Sequence, residues 1–213
     1  MNQEASSEPT DKALVEELAN LGQKRRWRRG SILIQEGDVG DTLFIVLSGG
    51  VRVYSSDSSG KEVTLGLYGA GEYVGEMSLD GAPRAATVVT VEPTECAVIT
   101  REVLLTFISE HPEFAMTLIT RLIRRARLAT DSARTMALLD VYGRLTRLLT
   151  QLAVPQADGT WLVADRMTHL ELSRHLACSR EMVSRLLKDL ENGGFVAIEG
   201  RSMVLLKALP LRW

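Results

Sequence analysis

Apolar and polar positions divide the chain into stretches of different period. Residues 11–21, DKALVEELANL, carry apolar positions at helical spacing and predict a short amphipathic helix. Over residues 27–100 short β-rich runs alternate with Gly-Asp turns, and glycines stand at 30, 37, 40, 49, 50, 60, 66, 69, 71, 75 and 81. Short strands bounded by such turns predict an antiparallel barrel or jelly roll, with a hairpin loop over residues 55–60. After Arg101 the signal turns helical. Residues 112–138 have no internal Pro or Gly, and small or apolar residues recur at Ala115, Leu118, Leu122, Ala126, Ala129, Ala133 and Met136. Steps of three and four are close to a coiled-coil seam, so this segment predicts one long helix that pairs with a second copy. Packing of the helix on its own barrel would give a similar stripe.

Asp140 precedes a further helical run, VYGRLTRLLTQLA, and is a good N-cap, which places a domain junction there. VPQADGTW, with Pro155 and Asp158-Gly159, reads as a turn-rich loop. In MTHLELSRHLACSREMVSRLLKDLENGGF, Thr168 and Glu171 form a capping box, and Leu170, Leu172, Leu176 and Ala177 supply apolar contacts. Cys178-Ser179 breaks the helix and Ser179 can cap the next. Met182, Val183, Leu186, Leu187 and Leu190 form the buried face of that helix, and Asn192-Gly193-Gly194 ends it. FVAIEGRSMVLL then reads as a hairpin wing around Glu199-Gly200-Arg201. Arg180, Glu181, Ser184 and Arg185 lie at the start of the second helix, off its apolar stripe. A recognition helix reads bases with its N-terminal residues, Arg matching guanine O6 and N7 and Glu accepting from cytosine N4. A solvated face with local ion pairs is the plainer reading of the same residues.

Charge refines this division. The net charge of the 213 residues is −2. From Asp140 onward there are ten Lys and Arg against eight Asp and Glu, and before it fifteen against nineteen, so the mildly basic part is C-terminal. KRRWRR at 24–29 reads as a solvated strand edge. Cys96 and Cys178 stand far apart and His111, His169 and His175 form no ligand spacing. A disulfide framework, a metal centre and a catalytic constellation are therefore not expected, and each cysteine reads as a small buried residue. No apolar run approaches the ~18–20 residues needed to span a bilayer, and the polar opening MNQEASSEPTDK is unlike a signal peptide, so a cytoplasmic protein is expected.

Residues 75–88, GEMSLDGAPRAATV, carry the remaining candidate chemistry. Small residues allow close backbone approach, Arg84 offers a planar fork for phosphate, and Glu76 accepts hydrogen bonds from a hydroxyl. Together they suggest a pocket for a phosphorylated sugar ring. A surface turn with a Glu76–Arg84 ion pair is the alternative.

GEMSLDGAPRAATV, ALLDVYGRL and LACSREMVSRLLKDLE resemble the cyclic-AMP receptor protein/FNR (CRP/FNR) family of bacterial transcription regulators, over roughly residues 14–206. The resemblance implies an α+β chain. An N-terminal β jelly-roll cyclic-nucleotide-binding domain would cover residues 1–111, a long dimerisation helix 112–139, and a C-terminal winged helix-turn-helix 140–213. It implies that Glu76 holds a ribose 2′-hydroxyl and Arg84 a cyclic phosphate, helped by the backbone at Gly75, Met77, Ala85 and Ala86. Ala85 stands where bacterial cyclic-AMP receptors carry serine, and PRAATV looks like the cassette of cyclic-AMP-dependent kinase regulatory subunits. Ala129-Thr130 replaces the Thr-Ser that meets adenine, which leaves the base open: cyclic AMP is favoured, with cyclic GMP and cyclic di-GMP as alternatives, and no metal is implied.

DNA contacts fall by the same resemblance to Thr168, Ser179, Arg180, Glu181, Ser184, Arg185 and Lys188. The implied partners are a palindromic double-stranded operator with TGA-containing half-sites, a second copy in a homodimer, and RNA polymerase; no membrane and no enzymatic activity are implied. A cyclic-nucleotide-binding module acting on a protein partner is the alternative function.

Overall fold

Period-two alternation in the first half of the chain builds two four-stranded antiparallel sheets. The computed structural model describes residues 9–164 and 166–210; the polar opening segment lies outside them. One sheet joins β1 (Gln23–Trp27), β8 (Thr94–Ile99), β3 (Leu43–Ser48) and β6 (Tyr73–Val74) in that order. The other joins β2 (Ile32–Ile34), β7 (Thr87–Thr90), β4 (Gly50–Ser56) and β5 (Glu62–Gly69). Successive side chains of a strand point to opposite faces, and β3 uses both. Phe44 and Val46 enter the core between the sheets with Ile34, Val51, Val74, Val88 and Cys96. Leu43 and Ile45 face the other way, into a second core with Leu18, Phe107, Phe114 and Leu118. Both faces of β3 are thus buried, which explains its near-continuous apolar run. Cys96 is buried and its thiol is pushed up to about 11, a buried small residue as expected.

Helices cover the second core. They are α1 (Pro9–Leu21), α2 (Arg101–Glu110), capped by the Thr100 side chain on the Val103 N–H, and the first turns of α3 (Pro112–Leu138). Pro112 opens α3, where a missing N–H costs nothing. The long helix is as expected, with one change to its stripe. Leu118 is buried against Phe107 and Phe114, so it belongs to the β-roll core rather than to a seam. From Leu122 onward the apolar side chains of α3, including Ile123, Leu128 and Met136, are exposed. The basic 24–29 segment lies in strand β1 up to Trp27, at a sheet edge, and in the turn after it, with Lys24, Arg25 and Arg26 exposed and Arg26 paired to Glu95 at 3.2 Å.

The C-terminal segment forms a third core. Its elements are α4 (Val141–Leu152), β9 (Val154–Pro155), β10 (Trp161–Val163), α5 (His169–Leu176), α6 (Arg180–Asn192), β11 (Val196–Glu199) and β12 (Ser202–Leu205). Asp140 caps α4, accepting from the Gly143 N–H at 2.7 Å. Leu145, Leu149, Leu172, Leu176, Val183, Leu187 and Leu190 pack beneath a sheet of order β11-β12-β10-β9. The expected 154–161 loop is therefore a hairpin: its turn holds the two short strands that widen the wing sheet. Leu170 departs from its expected role and is 48% exposed, because it falls off the face set by Leu172 and Leu176. The chain divides into two compact units, one up to Arg127 and one from Leu128.

Gly49 joins β3 to β4 with φ +79, and a Cβ there would stand 2.4 Å from the Pro93 carbonyl oxygen and 2.7 Å from Thr94 Oγ1. Both the conformation and the space require glycine. Gly49→Ala is expected to destabilise the N-terminal unit by at least about 2 kcal/mol, read as a lowered urea midpoint; an unchanged midpoint would contradict this.

Candidate nucleotide pocket and DNA-reading surface

Gly75, at φ +96, turns the chain out of β6 into a short 3-10 turn, Glu76–Ser78. A Cβ on Gly75 would meet the Thr42 carbonyl oxygen at 2.7 Å and Arg84 Nη1 at 3.0 Å. Its absence lets the Arg84 guanidinium seat beneath the turn. Arg84 is 6% exposed. Its Nη1 donates to the Gly75 carbonyl at 2.9 Å, and its Nη2 to the Thr42 carbonyl and hydroxyl at 2.9 Å each. Three of the five N–H donors of a guanidinium are thereby committed, which leaves two. Burial lowers the Arg84 pKa from its ordinary value, with Asp41 and Glu76 opposing; an arginine keeps its charge under such conditions.

Glu76 is equally buried and does not pair with Arg84. Its Oε1 accepts from Arg125 Nη1 of α3, and Arg125 Nη2 also donates to the Tyr73 carbonyl. The Arg125 guanidinium lies over the Tyr68 ring, 4.5 Å from its centroid. Burial works against the Arg125 charge, but Glu76 foremost and then Tyr68 and Tyr73 outweigh it and raise its pKa. One helical turn earlier, Arg121 donates to the Gly71 carbonyl at 3.3 Å and lies over Tyr73. One oxygen of Glu76 is thus satisfied by the protein, and the second is suited to a hydroxyl donor. The incidental Glu76–Arg84 pair is replaced by two separate sets of partners.

Of the other expected ligand residues, Met77 and Ala85 are exposed and Ala86 is half-buried beside the turn. Ala129 and Thr130 are exposed on α3 and fall in the other compact unit. Arg125, Thr42, Tyr68 and Tyr73 were not expected at the pocket. A signal for Arg125 exists in the helix itself: Phe114, Leu118, Arg121 and Arg125 continue one face at steps of four, three and four.

The second surface is local in origin. Thr168 and Glu171 form the expected capping box, with the Thr168 N–H donating to Glu171 at 2.7 Å and the Glu171 N–H to the Thr168 hydroxyl at 3.2 Å. The Thr168 N–H is the main reason the Glu171 carboxyl is held below its usual range. Helix α5 ends at Ala177, which takes the left-handed conformation at φ 50, and Ser179 caps α6 through the Met182 N–H. Arg144 of α4 ties the turn down, donating to the Leu176 and Leu139 carbonyls at 3.1 and 2.9 Å. Val183, Leu187 and Leu190 face the core. Thr168, Ser179, Arg180, Glu181, Arg185 and Lys188 are exposed, and Ser184 is half-buried. Glu181 curls onto the first turn of its helix: its own N–H, then the Ser179 hydroxyl, hold its carboxyl below the usual range. Cys178 is half-buried rather than buried, since it sits in the turn between the helices. Among the described residues no group of three or more His, Cys, Asp or Glu is arranged for a metal, and no helix is long and apolar enough to cross a membrane.

A β-sandwich holding a buried cation and a buried carboxylate at one tight turn, followed by a winged helix-turn-helix, defines a small-molecule-binding domain joined to a DNA-binding one. Residues 24–111 match the model of the cyclic nucleotide-binding domain family and residues 143–211 that of the Crp-like helix-turn-helix domain. The chain is 35% identical over 182 residues to the cAMP-activated global transcriptional regulator CRP of Haemophilus influenzae, covering 82% of this chain and 80% of that one. It is 32% identical over 192 residues to the cAMP-activated global transcriptional regulator Vfr of Pseudomonas aeruginosa, covering 85% and 88%. The solved structure of the c-di-GMP responsive global regulator CLP of Xanthomonas campestris superposes with a TM-score of 0.80 at 29% identity, over 92% of this chain and 99% of that one. The chain belongs to the CRP/FNR family of DNA-binding transcription regulators, as its sequence suggested.

Glu76→Gln removes the counter-charge of the Arg125 guanidinium without changing side-chain shape. The N-terminal unit is expected to lose about 3 kcal/mol of stability, read by urea unfolding followed at the tryptophan of β1. An unchanged midpoint would show that leaving the Arg125 guanidinium without its counter-charge costs nothing, contrary to this expectation.

Proposed function

We propose that the protein is a homodimeric transcription regulator that binds a cyclic nucleotide, cyclic AMP foremost, and in response binds a palindromic operator. The observation that carries the effector half is the buried Arg84 and Glu76 on either side of the Gly75 turn. An anion of compact charge suits the remaining N–H groups of Arg84, and a vicinal hydroxyl suits the second oxygen of Glu76. Backbone N–H groups at Ala85 and Ala86 would add donors. Two relatives named as cAMP-activated favour cyclic AMP, and the c-di-GMP responsive neighbour makes cyclic di-GMP the competitor to test.

The exposed apolar face of α3 from Leu122 to Met136 supports a two-fold dimer, because such a stripe stays solvated in a single copy. In DNA the Arg180, Glu181, Ser184 and Arg185 face would enter the major groove. Arg180 and Glu181 with Arg185 suit TGTGA-type half-sites; Glu181, Ser184 and Arg185 suit TTGAT-type ones. Both share TGA, and the bidentate match of Arg180 to guanine favours the first. The protein would work in the cytoplasm, alongside RNA polymerase, without enzymatic activity.

Calorimetric titration with cyclic AMP, cyclic GMP and cyclic di-GMP is expected to give the tightest binding for cyclic AMP. Arg84→Ala should weaken it by about a hundredfold or more through loss of charge-assisted bonds; equal affinity for every nucleotide in the variant would contradict the assignment. Random-site selection with the purified protein is expected to return a palindrome with TGA-containing half-sites about one helical turn apart. Arg180→Val should relax discrimination at one guanine by roughly 1–3 kcal/mol while leaving the salt dependence nearly unchanged. Selected sites without a TGA palindrome would contradict this reading of α6.

A further inference from the structure

Ser184 occupies the centre of the exposed face of α6, one helical turn after Arg180 and one before Lys188. It differs from those neighbours in being half-buried and already engaged. Its Oγ lies 2.7 Å from Nδ1 of His169, on the first turn of α5. That turn is itself pinned by the reciprocal Thr168–Glu171 capping box. The imidazole is therefore presented to α6 from a rigid support, and the contact joins the two helices of the helix-turn-helix.

A serine hydroxyl has one hydrogen to donate and two lone pairs, and it rotates to suit its partners. Contact with an imidazole nitrogen removes that freedom. If Nδ1 accepts, the single hydroxyl hydrogen is spent on His169 and only lone pairs remain, which suit the N4 amino group of cytosine or the N6 amino group of adenine. If Nδ1 donates, the hydrogen is released toward guanine O6 or N7, adenine N7 or thymine O4. In either case the direction and polarity of the hydroxyl are set by a residue of the other helix.

We propose that His169 is a positioning residue for base readout: through its Nδ1 contact it fixes how the Ser184 hydroxyl is presented, and so sets the base preferred at the one position that Ser184 faces. The proposal rests on reading α6 as the recognition helix. It assigns a sequence-determining role to a residue at the start of α5, the helix that crosses the DNA backbone in this motif.

The test uses the full-length protein and a panel of duplexes in which each position of the selected half-site is replaced in turn. Ser184→Ala, His169→Ala, His169→Asn and the double variant His169→Ala with Ser184→Ala are compared by fluorescence anisotropy. Ser184→Ala and His169→Ala are expected to change preference at the same single position by about threefold to tenfold, with other positions unmoved. The double variant should behave like Ser184→Ala alone. His169→Asn, whose amide reaches the place of Nδ1, should retain part of the wild-type preference and keeps the question open to measurement if His169→Ala fails to fold. Weakening of all duplexes alike by both His169 substitutions, or additive effects in the double variant, would overturn the proposal. If Ser184→Ala moves one position and neither His169 substitution does, the positioning role alone falls. If Ser184→Ala moves no position, Ser184 reads no base and the role of His169 falls with it, whereas the recognition-helix reading itself stands or falls with Arg180→Val.

Discussion

A carboxylate buried in a protein must be matched by charge, and Glu76 is matched by Arg125, which stands on the long helix rather than in the turn that holds Glu76. Desolvating two such groups costs several kcal/mol for each, so the pair adds little net stability; what it sets is orientation. Arg125 adds a second bond to the Tyr73 carbonyl and stacks on Tyr68, while Arg121 reaches the Gly71 carbonyl one turn earlier. The arginine face of α3 is thereby held on the β-roll at Tyr68, Gly71, Tyr73 and Glu76. The face bearing Leu122 and Ile123 is left to solvent. A hydroxyl that binds Glu76 addresses the same carboxylate that holds the helix. Under the proposed function, occupation of the pocket and the contact of α3 with the β-roll would share one acceptor.

Arg84 obeys a related constraint by other means. Its partners are carbonyl and hydroxyl oxygens of Gly75 and Thr42, which orient the guanidinium without neutralising it. The site therefore holds a cation without a carboxylate partner at the turn and a paired carboxylate beside it, which is the basis of the proposed fit to an anion carrying a hydroxyl. A ligand can shift a conformational equilibrium only by its differential affinity for the states concerned; under the proposed function, the Glu76–Arg125 pair is where such a difference would arise.

Legibility in the sequence followed the range of the interactions. The capping box at Thr168, the Asp140 cap, the wing hairpin and the α6 stripe depend on residues three or four apart, and each is where its pattern placed it. The two-sheet architecture was legible from alternation and glycine spacing, and Glu76 and Arg84 from the small residues around them. Their partners were not. Thr42 and Arg125 lie 42 and 49 residues from the groups they bind, and no local pattern marks such a pairing. Leu118 was misassigned to a seam because burial against a barrel and burial against a second helix leave the same apolar period. The strands at 154–155 and 161–163 were hidden by their brevity, since two or three residues cannot show alternation.

Thermodynamic linkage between the two sites examines the regulatory reading most directly. The affinity of the protein for its selected palindrome is measured across a range of cyclic AMP concentrations, and the affinity for cyclic AMP is measured with and without that duplex. A cyclic nucleotide that drives DNA binding must tighten the DNA complex, and the duplex must tighten nucleotide binding by the same factor. A pocket that fills with cyclic AMP while the DNA affinity stays unchanged would contradict the reading.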